Sequence, residues 1–225
     1  AVKIIADAGF DAYDISLFQL TREEDYLFNQ PNYVEIAKEM REYADSLGIV
    51  CNQSHAPFPV DVPAVRSYLK RAIECTAEAG GEICIIHPDN NKNAEQNAEM
   101  YAELLPFAKS CGVKIATENM WNWDRAKDES SFAACATGED FKKHIDVIND
   151  DFFVACLDLG HAEMRGSGDG AVNMIRALGY RLQALHIHDN DRWHDNHQIP
   201  FSMNIDFGAI VKTLKEINYQ GYFTL

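Results

Sequence analysis

The chain has 225 residues, of which 47% are hydrophobic and 24% are charged, an ordinary composition for a globular protein. Its 20 lysines and arginines face 35 aspartates and glutamates, which leaves a net charge of −15. This acidic excess argues against nucleic acids and anionic membrane surfaces as partners, because both attract clustered cations. No stretch approaches the roughly 18 apolar residues of a membrane span, and the N-terminus lacks a signal-peptide pattern.

The six cysteines show no CxxC spacing, and Cys51, Cys84 and Cys156 lie inside apolar runs. Cysteine in such a run behaves as a small hydrophobic residue. A chain of this length does not need a disulfide framework, so we expect reduced thiols and a cytoplasmic location. The sequence has no Pro/Ser-rich linker, and we interpret residues 1–225 as a single domain.

In chain order, one pattern repeats: a helical stretch ends at or near a glycine, and a short apolar strand follows. Glycine is the natural residue at the left-handed end of a helix. The predicted strands are FDAYDISLF after Gly9, IVCNQSH after Gly48, EICIIH after Gly80 and Gly81, VKIATEN after Gly112, FFVACLDLGH after Asp150 and Asp151, RLQALHIHD after Gly179, and YFTL after Gly221.

The segments between these strands have the apolar spacing of amphipathic helices. Clear examples are NYVEIAKEMREYADSL, VPAVRSYLKRAIECTAEA, TGEDFKKHIDVI and NIDFGAIVKTLKEI. In the third, Thr137 followed by acidic residues is a typical helix start. The pattern predicts seven strands, six complete connecting helices and a short helix at the start.

Strands that alternate with helices are typical of parallel α/β folds. An open doubly wound sheet would carry a glycine-rich phosphate loop, and no GxGxxG is present. We therefore predict a (β/α)8 TIM barrel. The first predicted helix precedes the first predicted strand, and YFTL ends the sequence, so we expect this chain to lack the first strand and the end of the eighth unit.

The active site of such a barrel lies at the carboxyl ends of its strands. In this sequence those ends carry a set of histidines and carboxylates, which the loop after the RLQALHIHD strand extends. The set comprises His55, His87, Glu118, Asp158, His161, His186, His188, His194, Asp195 and His197, while His144 lies apart on a helix. Charged groups at the ends of apolar runs are costly unless they are neutralised, and a divalent cation needs such a mixture of nitrogen and oxygen donors. The set therefore predicts a metal site.

The segments SHAPF, IIHP, ATEN, LDLGH, LHIHDN and DNHQIP with NIDF resemble the xylose isomerase-like TIM barrels, which include sugar-phosphate isomerases and epimerases and endonuclease IV-type enzymes. The resemblance covers essentially the whole chain. Its most specific parts are the DxxH of LDLGH and the HxxD of HIHD.

In that family a core metal is held by Glu, Asp, His and Glu on the fifth to eighth barrel strands. The resemblance assigns the first three ligands to Glu118, Asp158 and His186, and it makes Glu118 the catalytic base. The fourth ligand would be expected directly after Leu225. The metal would be Mn, Zn, Co or Mg, with the imidazole favouring the softer ions.

Six further residues match positions that endonuclease-type members use for additional zinc ions and that sugar-acting members use around substrate oxygens. They are His55, His87, His161, His188, Asp195 and His197, although sugar-acting members often have Lys where this chain has His188. This difference argues against a phosphate group on the substrate. Trp121, Trp123 and Trp193 lie near strand ends, where they suit either stacking on a sugar ring or covering of an apolar loop.

The resemblance implies a metal-dependent sugar or sugar-phosphate isomerase or epimerase, in which Glu118 moves a proton through a cis-enediolate. Its partner would be a small carbohydrate, and barrels of this family are often dimers or tetramers, which leaves a homo-oligomer open. The alternatives are an endonuclease IV-like zinc phosphodiesterase acting on abasic DNA, a metal-dependent polyol dehydratase, and an inactive or binding barrel.

Overall fold

The computed structural model describes residues 1–225 throughout. The contacts between residues group the chain into two compact units. The first unit contains Ala1–His87 and Tyr101–Ala116, and the second contains Pro88–Met100 and Thr117–Leu225.

Eight strands and eight α-helices make up the chain, together with short 3-10 turns. The strands are β1 Ala12–Ser16, β2 Val50–His55, β3 Ile83–Ile85, β4 Lys114–Glu118, β5 Trp121–Asp124, β6 Glu129–Phe132, β7 Phe153–Asp158 and β8 Leu182–His186. The helices are α1 Val2–Asp7, α2 Tyr33–Ser46, α3 Pro63–Glu78, α4 Ala94–Cys111, α5 Gly138–Ile148, α6 Leu159–Glu163, α7 Ala171–Leu178 and α8 Phe207–Glu216. The 3-10 turns are Phe18–Thr21, Leu27–Asn29 and Gly179–Arg181.

In the first unit the strands are parallel and follow the order β1-β2-β3-β4. Their central residues, such as Ile15, Cys84 and Ile115, are buried. Helices cover these strands. The strands are apolar along almost their whole length because, as is usual in a parallel sheet, both of their faces are buried.

The second unit contains the last two residues of β4, Thr117 and Glu118, followed in the strand order by β7 and β8, which pair in parallel. All six residues of β7 are buried. The pairing places Asp158 opposite His186, at the carboxyl ends of the two strands. An antiparallel hairpin of β5 and β6, which the sequence pattern did not predict, follows β4.

At the helix–strand junctions the glycines adopt the left-handed backbone conformation that the sequence pattern predicts. Gly48 and Gly112, for example, have φ values of +76° and +71°, where a side chain would be strained. Thr137 caps α5 by accepting a hydrogen bond from the backbone N–H of Asp140. The parallel strands with intervening helices confirm the predicted α/β barrel-type fold.

The prediction of a strand at YFTL was wrong. Residues 221–225 form no strand, although the backbone N–H of Ile187 donates a hydrogen bond to the carbonyl of Thr224. The apolar pattern is that of a buried strand, but Tyr222 and Phe223 are exposed. No helix in the chain is both long and apolar enough to cross a membrane.

Candidate functional site

The carboxylate of Glu118 lies at the end of β4 in the second unit and is almost completely buried. His186, which ends β8, places its Nδ1 3.1 Å from Oε1 of Glu118. The thiol of Cys156 belongs to the same group, with its sulfur within 4.8 Å of the donor atoms of Glu118 and His186. Burial lowers the pKa of His186, but Cys156 and Glu118 outweigh it and raise that pKa well above its usual value.

Asp158 ends β7 and also caps α6, where its Oδ1 accepts a hydrogen bond of 2.8 Å from the backbone N–H of His161. Asn119 fixes the same strand end, because its side chain donates to the carbonyl of Asp158 and accepts from its N–H. Burial raises the pKa of Asp158, but His161 and His188 outweigh it, so this carboxyl titrates below its usual range. Asp158 is therefore held as a carboxylate in a fixed position.

His161 connects this carboxylate to the loop that follows β8. Its Nδ1 lies 2.9 Å from the carbonyl oxygen of Asn119, and its Nε2 lies 3.4 Å from Asp195. Burial lowers the pKa of His161, but Asp158, Asp195 and Glu118 raise it to about 10. The surrounding carboxylates therefore favour the protonated form of this ring.

A second group of donors, His161, His188, Asp195 and His197, brings its ligand atoms within 4.8 Å of one another. The rings of His188 and His197 are stacked, with centroids 3.9 Å apart. The Nε2 atom of His188 lies 3.0 Å from Asp158, yet neither ring nitrogen of this buried side chain has an aligned hydrogen-bond partner. Buried ring nitrogens that face carboxylates without a hydrogen bond are available to ligate a metal ion.

The donor chemistry therefore fits a divalent cation. Imidazole nitrogens and carboxylate oxygens converge from the ends of β4, β7 and β8, and they suit Mn, Co or Zn. Glu118, Asp158 and His161 form a further group of ligand atoms within 4.8 Å of one another. No role was predicted from the sequence for two residues of this site, Asn119 and Cys156. Asn119 could have been found from its position at a strand end, in ATEN. Cys156 lies inside an apolar run, where a cysteine is expected to be a structural residue.

The loop that carries Asp195 and His197 is held by the buried carboxylate of Asp189. Its Oδ1 accepts backbone hydrogen bonds of 2.9–3.1 Å, and its Oδ2 accepts one of 2.8 Å from Met203. The three donors to Oδ1 are Asn190, Asn204 and Ile205. Two backbone hydrogen bonds between Asp189 and Gln198 close the loop at a second point. Asp189 thus holds both ends of the loop that contains Asp195.

We expect Asp189→Asn to lower the free energy of unfolding by about 1–3 kcal/mol, because an amide cannot accept the Met203 hydrogen bond at its nitrogen. Urea unfolding measures the loss, and hydrogen exchange should locate it at the amides of residues 203–205. Asp191→Asn is the matched control, since Asp191 accepts hydrogen bonds from Trp193 and His194 but is solvent-accessible. Equal exchange rates in wild type and Asp189→Asn would contradict this role.

The two remaining predicted site residues, His55 and His87, lie in the first unit. Their Nε2 atoms are 2.8 Å apart, and Phe18 and Phe58 pack against His55 at ring distances of 4.5 and 5.8 Å. Within the second unit the structure brings together the other seven: Glu118, Asp158, His161, His186, His188, Asp195 and His197. His144 is separate, buried in α5 and hydrogen-bonded to the carbonyl of Asp140.

Comparisons with known proteins identify the family and the fold. A family model described as the xylose isomerase-like TIM barrel matches residues 2–225. An uncharacterised protein of Methanocaldococcus jannaschii, MJ1311, is 26% identical over 243 aligned residues, which cover 100% of this chain and 77% of the relative.

Solved structures show the same fold. A D-tagatose 3-epimerase-like protein has a TM-score of 0.77 at 23% identity, covering 99% of this chain and 84% of its own. The IOLI protein, in a structure with a bound zinc atom, has a TM-score of 0.75 at 18% identity, covering 99% of this chain and 81% of its own. Further similar structures are those of a D-psicose 3-epimerase and an L-ribulose 3-epimerase.

Proposed function

The chain belongs to the xylose isomerase-like TIM barrel family, and from that premise we propose that it is a divalent-metal-dependent isomerase or epimerase of a small carbohydrate. The observation that carries the proposal is the buried carboxylate of Glu118, held 3.1 Å from His186 beside Asp158 and His161. The similarity of the fold to sugar epimerases supports the substrate class.

Glu118, Asp158 and His186 would hold the cation. When bound, a divalent cation polarises a carbonyl and stabilises the negative charge that develops beside it. All three residues end neighbouring parallel strands, so the scaffold positions the donors before any ligand arrives.

We assign the proton transfer to Glu118. Its carboxylate would remove the proton from the carbon next to the sugar carbonyl, leaving an enediolate, and would return it in the isomerase reaction. His186 fixes the orientation of the carboxylate through the 3.1 Å contact. His161 and His188 would bind substrate oxygens, since both imidazoles lie within 4 Å of Asp158.

The local charge favours a neutral sugar over a sugar phosphate. Three carboxylates, those of Glu118, Asp158 and Asp195, surround His161, and the acidic chain has a net charge of −15. A phosphate dianion would be repelled by these groups. Related sugar enzymes often have a lysine at the position of His188. This chain has the shorter histidine there and so lacks the lysine ammonium group that could bind a phosphate.

Solvent-deuterium exchange tests the proposal. Protein loaded with Mn²⁺ is incubated with D-tagatose, D-fructose and D-psicose in deuterated water, and NMR follows loss of the proton next to the carbonyl. We expect exchange in at least one sugar and none after EDTA treatment. If the loaded protein exchanges no proton in any of the three, the proposal fails.

The second donor group favours one other candidate, a zinc phosphodiesterase acting on abasic DNA. His161, His188, Asp195 and His197 could hold a further zinc ion, which would supply the Lewis acidity that phosphodiester hydrolysis needs. The net charge of −15 opposes DNA binding. Incubation of the zinc-loaded protein with an abasic duplex separates the two, since a sugar enzyme leaves the strand intact.

A further inference from the structure

Strand β7 carries a thiol on the same face as the Asp158 carboxylate. Cys156 lies two residues before Asp158, and alternate residues of a strand point to one side of the sheet. In the register of β7 with β8, Cys156 pairs with Ala184 and Asp158 pairs with His186, so Cys156 and His186 share that side. Cys156 is fully buried, whereas the side chain of His186 is 16% exposed, which leaves the pair a route to solvent.

Three different kinds of donor atom meet here. The sulfur of Cys156, a carboxylate oxygen of Glu118 and a ring nitrogen of His186 lie within 4.8 Å of one another. The thiol is hydrogen-bonded to the side chain of His186, whose Nδ1 is 3.1 Å from Oε1 of Glu118. Nitrogen and oxygen ligands on one tetrahedral zinc ion are about 3.3–3.4 Å apart, because each lies about 2.0–2.1 Å from the metal. The two side chains therefore need little adjustment to share an ion.

Asp158, the other carboxylate at these strand ends, is held by different partners. Its Oδ1 accepts a hydrogen bond of 2.8 Å from the backbone N–H of His161. Its ligand atom falls in the group that contains Glu118 and His161, whereas the sulfur of Cys156 falls in the group that contains Glu118 and His186. Cys156 thus adds a sulfur donor on the side of the site where His186 lies.

We propose that Cys156 is a metal ligand together with Glu118 and His186, and that this site takes zinc or cobalt in preference to manganese or magnesium. This inference rests on the proposed function and names the class of metal that its site holds. Thiolate and imidazole suit the softer ions, while carboxylate and water alone suit manganese and magnesium. On binding, the S–H bond of Cys156 breaks, its proton passes to solvent and a sulfur–metal bond forms. Three protein ligands leave the fourth position of a tetrahedral ion open, as catalytic zinc sites do.

Cobalt spectroscopy tests the sulfur ligand directly, because a thiolate bound to Co²⁺ gives a near-ultraviolet charge-transfer band. The protein is freed of metal with EDTA and titrated with Co²⁺, and competition then gives the Kd of Zn²⁺ and of Mn²⁺. We expect the band in wild type and its loss in Cys156→Ser. That variant should bind Zn²⁺ at least tenfold more weakly and Mn²⁺ with less than a twofold change. Cys84→Ser is the matched control and should keep the band, since Cys84 is equally buried in β3 and hydrogen-bonded to Ser54.

Three outcomes overturn the inference: Co²⁺ binds without the band, the band survives Cys156→Ser, or Cys84→Ser loses it to the same extent. X-ray absorption of zinc-loaded wild type does not depend on a folded variant. It should show a sulfur neighbour at about 2.3 Å from the metal, and zinc surrounded by nitrogen and oxygen alone would equally contradict the proposal.

These measurements need no sugar, so they separate this inference from the proposed function. Deuterium exchange in a protein without a sulfur–metal bond would leave the proposed function and remove Cys156 as a ligand. A sulfur–metal bond in a protein that exchanges no deuterium would do the reverse.

Discussion

Replacing Glu118 with glutamine is expected to lower the rate of solvent-deuterium exchange about a thousandfold, the typical contribution of a general base. The amide has the shape of the carboxylate but cannot accept a proton at neutral pH. Its oxygen can still accept a hydrogen bond from Nδ1 of His186, which lies 3.1 Å from Oε1 in the native site. The side chain therefore keeps its place while the proton acceptor is lost.

The metal content of the Glu118→Gln variant separates the two roles that we assign to this residue. A variant that retains its metal and loses exchange has lost the base, whereas one that loses both has lost a ligand as well. Glu129→Gln in β6 is the matched control, because Glu129 is partly exposed and interacts with Lys127. Exchange at the wild-type rate in fully loaded Glu118→Gln would show that another group moves the proton.

Much of the core of the candidate site could be predicted from the sequence, since it depends on strand ends. A parallel sheet brings the carboxyl ends of its strands to one edge, and a short apolar run reveals where each strand ends. Asp158 and His186 illustrate this, because the register of β7 and β8 places them opposite each other. Their roles in metal binding and catalysis remain predictions.

The rest depends on loop conformation, which apolar periodicity does not determine. Asp195 and His197 reach His161 and His188 because the loop adopts left-handed backbone at Arg192 and His197, with φ values of +69° and +47°. Hydrogen bonds to the side chain of Asp189 hold that conformation. The β5–β6 hairpin was missed for a related reason, since WNWD and ESSF lack the apolar run that marked the other strands.

Replacing Gly160 with alanine is expected to lower the free energy of unfolding by about 3 kcal/mol, because the new methyl group would overlap the imidazole of His188. That ring has little room to move. It is stacked on His197 at 3.9 Å, and its Nε2 faces Asp158 at 3.0 Å. The variant should also bind divalent metal more weakly, because His188 must leave the donor group.

Gly208→Ala provides the matched control. Gly160 and Gly208 are each the second residue of a helix, α6 and α8 respectively, so the backbone effect of the substitution is similar. The new methyl group at position 208 would approach only Asp206 Oδ1, at 3.2 Å. Urea unfolding should therefore show a large loss for Gly160→Ala and little change for Gly208→Ala.

The double variant Gly160→Ala/His188→Ala identifies the cause of the loss. If the imidazole is what the methyl group meets, adding Gly160→Ala to a His188→Ala background should cost almost nothing, and the coupling free energy should approach the full single-variant loss. An equal loss in both backgrounds would instead place the strain in the backbone of α6. The expected coupling follows from close packing: Gly160 leaves the space that the buried ring of His188 occupies beside Asp158.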